Sequence, residues 1–106
     1  MTLTRNSKET VLQRVQSDSS FAQALLDEAA NLFLNGEPET ARQILRDLVN
    51  ATIGVEELAV QTAKPSQSLH RMLSPHGNPS RDNLAAIFRA MRDRLHVSFQ
   101  ANSVAV

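Results

Sequence analysis

The chain has 106 residues, 42% hydrophobic and 21% charged, enough for one domain with its own core. With no cysteine it can hold no disulfide, no cysteine-ligated zinc and no thiol nucleophile. Net charge is zero but uneven: residues 1–63 carry five Lys or Arg against nine acids, a net of −4, and residues 64–106 carry six against Asp82 and Asp93, a net of +4.

That asymmetry suits a basic half that meets a polyanion and an acidic half that does not. No apolar run approaches the roughly 20 residues that span a bilayer, so no membrane partner is expected. The stretch MTLTRNSKET lacks the apolar core of a signal peptide, and a cytoplasmic location is the expectation.

Helical spacing dominates the chain. A first segment over 7–16 places Val11, Leu12 and Val15 together, and Ser17 to Ser20 breaks it. Ser20 can cap a second helix containing Phe21, Leu25, Ala29, Leu32 and Phe33, which stops at Asn35-Gly36. Pro38 opens a third, with an apolar stripe of Ala41, Ile44, Leu45, Leu48 and Val49. Past Ile53-Gly54 the elements shorten to a helix over 55–63, a tight connection at Lys64-Pro65, and a helix over 65–73.

Two Pro, a Gly and an Asn within residues 74–79 predict a loop. Ser80 then caps a final helix with Leu84, Ile87, Phe88 and Met91 on one face. Residues 95–100 alternate apolar and polar, which predicts a short strand. A lone strand is not stable in water, so it must pair with an earlier segment or with its twin in a second subunit.

The segment GVEELAVQTAKPSQSLHRML, residues 54–73, carries the chemistry. Short helices joined by a tight turn must meet through small side chains, which Ala59 supplies. Leu58, Thr62, Leu69, Met72 and Leu73 have the spacing of inward positions. Ser66, Gln67, His70 and Arg71 are left facing out, with Lys64 at the start of that helix. All can hydrogen-bond and none is acidic. Gln pairs with adenine and Arg with guanine in a major groove, and a helix N-terminus offers free N–H groups to phosphate.

Glu57-Leu58-Ala59, Pro65-Ser66, Ser68-Leu69, Leu73-Ser74 and Gly77-Asn78-Pro79 stand in an order that resembles the lambda-repressor-like (Xre-type) helix-turn-helix family. The resemblance is closest to addiction-module antidote (antitoxin) and prophage regulators, and covers residues 41–99. It departs at Ala63, where the family has Gly in the turn, and at Lys64, where it has an apolar residue. An Ala fits there without strain only near right-handed dihedrals.

The resemblance implies an all-α fold: a compact bundle of about five helices with a helix-turn-helix, plus a C-terminal strand used in dimerisation through Leu95, Val97 and Phe99. It implies one domain, with N-terminal helices over 1–37, the DNA-binding core over 38–94, and strand and tail over 95–106. Ser66, Gln67, His70 and Arg71 would read bases; Lys64, Asn78, Arg81 and Asn83 would contact phosphate, and Ser74 could do either. The implied activity is repression by a homodimer on double-stranded operator DNA, as the antitoxin to a small toxin protein or as a standalone prophage regulator.

A helical protein-interaction module using the acidic half is the other reading. Enzyme chemistry is not expected, and neither is a cofactor or metal. His70, His76 and Asp82 lack a zinc spacing, and Ser66 with His70 lacks a third group. The pairs Asp27-Glu28 and Glu56-Glu57 point different ways as adjacent helical residues.

Overall fold

A single residue, Asp18, separates the first two of the six helices found among the described residues. In this computed structural model, residues 5–106 are described, with side chains from Thr10 onward. Residues 1–4, part of the stretch read for export, lie outside them. The helices are α1 (Arg5–Ser17), α2 (Ser19–Leu34), α3 (Pro38–Ala51), α4 (Gly54–Thr62), α5 (Ser66–Leu73) and α6 (Arg81–Leu95). The all-α expectation of about five helices holds, and the six described helices match the six helical segments read from the spacing. None of the described helices is long and apolar enough to cross a membrane.

The helix starts follow capping chemistry. Asp18, rather than the expected Ser20, caps α2: its Oδ1 accepts from the backbone N–H groups of Ser20 (3.0 Å) and Phe21 (3.3 Å). Across this corner the Arg14 guanidinium lies 4.6 Å from the Phe21 ring centroid. Pro38 occupies the first turn of α3, where no N–H is needed. Ser80 caps α6 as expected, accepting from the Asn83 N–H at 3.1 Å.

One core runs through the molecule. Leu26 of α2, Leu45, Leu48 and Val49 of α3, Leu58 of α4, Leu69 and Leu73 of α5, and Ile87 and Met91 of α6 are all fully buried. Each such side chain stabilises the fold by about 1.5–3 kcal/mol. Val15 attaches α1 to the same cluster. The third helix is the hub, packing against α1, α2, α4 and α5.

The strand expected within 95–106 does not form. Leu95 is the last residue of α6, His96 takes left-handed dihedrals (φ 57°), and residues 97–106 are irregular. The Val97 N–H donates to the Arg92 carbonyl (3.1 Å) and the His96 N–H to the Asp93 carbonyl (3.4 Å), which closes the helix end. Val97 then packs on the core, and the Phe99 ring meets Phe88 edge-on, centroids 5.9 Å apart. The alternation of apolar and polar residues therefore reflects a segment lying on the bundle. The described residues contain no strand for it to pair with. Leu95, Val97 and Phe99 instead make contacts within the chain.

Candidate nucleic-acid interface

The α4–α5 pair is joined by three residues, Ala63, Lys64 and Pro65. Ala63 is left-handed (φ 56°, ψ 39°), not in the right-handed region that would leave it unstrained. Its N–H donates to the Val60 carbonyl (3.4 Å), and the Lys64 N–H donates to the Ala59 carbonyl (3.1 Å). Both helix-end carbonyls are thereby satisfied and the chain is turned sharply. Pro65 is extended (φ −62°, ψ 139°) and starts α5 without a side-chain cap.

The inward set is close to that expected. Leu58, Leu69 and Leu73 are buried, while Ala59 and Met72 pack half-buried against the core. Thr62 is half-buried, with its hydroxyl donating back to the Leu58 carbonyl at 2.7 Å.

Burying that stripe fixes what α5 presents outward. Gln67, His70 and Arg71 are exposed, and with Ser74 they stand at i, i+3, i+4 and i+7, so one helical face carries them. Ser66 and Lys64 are half-buried at the start of that helix. The Ser74 hydroxyl donates to the Arg71 carbonyl at 2.7 Å, so its proton is already engaged in ending the helix.

The remaining candidates lie beyond α5. Asn78 is exposed in the loop, and exposed Arg81 and half-buried Asn83 sit in the first turn of α6. Among the described residues, Lys64, Arg71 and Arg81 form no ion pair, whereas Arg46 pairs with Asp47 (3.5 Å) and Arg92 with Asp93 (3.0 Å). No acid lies on α5. The face can therefore meet an anion without first breaking a bond within the protein.

Two residues that sequence reasoning left unassigned hold this loop. A Cβ on Gly77 would fall on the carbonyl oxygens of Arg71 and Met72, so the loop crosses the end of α5 at backbone contact. Arg42 of α3 is only 4% exposed, and its Nη1 donates to the Leu73 carbonyl at 3.0 Å. Its Nη2 lies 3.5 Å from the Pro75 carbonyl. The signal was its position three residues before Leu45 and seven before Val49, on the buried stripe of α3.

Comparison with protein-family models, curated proteins and solved structures finds no significant match.

Proposed function

We propose that the protein is a sequence-specific DNA-binding transcriptional regulator, a repressor that meets a major groove with α5. The observation that carries this reading is the α5 face itself. Gln67, His70 and Arg71 stand together, exposed and free of acids, on a short helix entered through a left-handed turn. Gln can pair bidentately with adenine, donating to N7 and accepting from the N6 amino group, and Arg can donate twice to the O6 and N7 of guanine. Lys64, Asn78, Arg81 and Asn83 are the phosphate contacts of this reading, Ser66 a further base contact, and Ser74 a helix end. A homodimer would place two such helices on half-sites about one helical turn apart, ~34 Å.

Within this reading the protein is the antitoxin of a toxin–antitoxin operon, repressing its own promoter in the cytoplasm. Its acidic first half, with exposed Glu28, Glu37 and Glu39, suits a small basic toxin. A neighbouring gene for such a protein would support this; its absence would favour a standalone prophage-type regulator.

The test is fluorescence anisotropy with the DNA upstream of the gene against a scrambled duplex, at two salt concentrations. Tight binding to the upstream duplex alone, weakening steeply with salt, is the expected result. Equal binding to both duplexes, or to neither at low salt, would refute it. Replacing Arg71 with Ala should cost about 1–3 kcal/mol on the specific site and little on random DNA. An equal loss on both would make Arg71 a phosphate contact.

A further inference from the structure

We propose that Arg42 is a positioning residue, which locks the loop over residues 74–80 onto the end of α5 and so fixes the base-facing and phosphate-facing groups in one arrangement. The proposal rests on the DNA-binding reading and deepens it.

The argument starts from cost. A guanidinium cannot shed its charge, and burying one without a carboxylate partner is expensive. Arg42 is buried, and no acid pairs with it among the described residues. Packing alone would be served at least as well by Met or Leu, since the neighbours along α3 are Ala41, Leu45, Leu48 and Val49.

What an aliphatic side chain cannot do is hold two carbonyls at once. The Leu73 carbonyl is one of the last acceptors of α5, left unpaired by the helix itself. The Pro75 carbonyl belongs to the loop. Both point to one guanidinium, whose charge is favoured at the negative end of a helix. In the same loop, Gly77 fits against the Arg71 and Met72 carbonyls, and its N–H donates to the Ser74 carbonyl at 2.9 Å.

The loop is thus held at two points, by the Arg42 guanidinium and by the backbone contact at Gly77. The cleft lined by Glu39, Arg42, His76, Asn78 and Pro79 shows that little else fills the space between α3 and the loop. Without Arg42 the loop keeps its covalent ends but loses its register. Asn78, Arg81 and Asn83 would then no longer sit at a fixed offset from Gln67 and Arg71.

The experiment compares the unaltered chain with Arg42→Met and Arg42→Lys. It reads amide exchange by NMR in the free protein and affinity for a selected duplex against random DNA. Arg42→Met should stay folded, with exchange at the hydrogen-bonded amides of Ser74 and Gly77 at least tenfold faster and α2 amides unchanged. Its preference for the selected duplex should fall about tenfold while random-DNA affinity holds. Arg42→Lys, which keeps charge and donors, should recover part of both.

Unchanged loop exchange in Arg42→Met would overturn the proposal. So would faster loop exchange with the duplex preference intact. If Arg42→Met does not fold, loss of loop protection confined to residues 74–80 in folded Arg42→Lys supports the proposal; unaltered protection there overturns it. Failure of the unaltered chain to prefer any duplex would instead refute the DNA-binding reading, while loop exchange would still decide whether Arg42 holds the loop.

Discussion

Two helix pairs in this molecule use the same turn for different ends. In the first, α2 and α3 meet at Gly36, left-handed at φ 85°, with the Glu37 N–H on the Leu32 carbonyl (2.8 Å) and the Gly36 N–H on Phe33 (3.2 Å). In the second, α4 and α5 meet at Ala63 with the same pair of bonds between equivalent positions. The first pair is long, 16 and 14 residues, and buries Leu26, Leu45, Leu48 and Val49 completely. The second is short, 9 and 8 residues, and buries Leu58, Leu69 and Leu73.

Length gives the first pair its stability through apolar contact. The second has too little apolar surface for that, and leans on Arg42, Gly77 and a strained Ala63 to hold its shape. What it gains is a whole helical face left to polar groups. A pair built to be buried and a pair built to present a surface therefore differ in the supports around the turn rather than in the turn.

The largest test of this contrast lies in the first pair. Leu45→Ala should destabilise the fold by about 2–5 kcal/mol, because α3 contacts four other helices and a cavity there cannot be confined. Urea unfolding monitored by circular dichroism measures it. A loss below about 1 kcal/mol would mean that the long pair is not the stabilising half.

Gly77→Ala should cost less, about 1–3 kcal/mol, since the added methyl meets backbone that cannot swing aside. Its effect should be local, and amide protection at the end of α5 should fall well before that of α2. Loss spread evenly over both pairs would erase the distinction drawn between them.

The smallest effects compare the turns directly. Ala63→Gly should stabilise by about 1 kcal/mol, and Gly36→Ala should destabilise by a similar amount. A Cβ on Gly36 would meet nothing within 4 Å, so the backbone alone sets the second value. Shifts of the same sign in the thermal midpoint would show that the two turns are not equivalent.

These features were unequally legible in the sequence. Apolar spacing located all six helices, and Pro38 and Ser80 marked two starts, because burial and capping leave a local pattern. The exposed set on α5 followed by subtraction once Leu69, Met72 and Leu73 were turned inward. Ala63 was hidden, since an alanine does not announce left-handed dihedrals as glycine does. Asp18 and Ser20 are both capping residues, and only the corner with α1 decides between them. Arg42 was masked by its charge, which argues for solvent until its place on a buried stripe is weighed. The tail misled because alternation fits a strand and an irregular segment lying on a surface equally well.

That tail has a consequence for how the molecule moves. Among the described residues no hydrogen bond ties residues 98–106 to the helices, and the Phe99 ring, 40% exposed, packs edge-on against Phe88. An edge-on ring pair contributes about 1 kcal/mol beyond the area it covers. Lifting Phe99 away costs a small fraction of unfolding the bundle, so docking and release form a private equilibrium that leaves the six helices intact. Release of Phe99 would bare Phe88, which also lies 6.0 Å from Phe33, and so open an aromatic face.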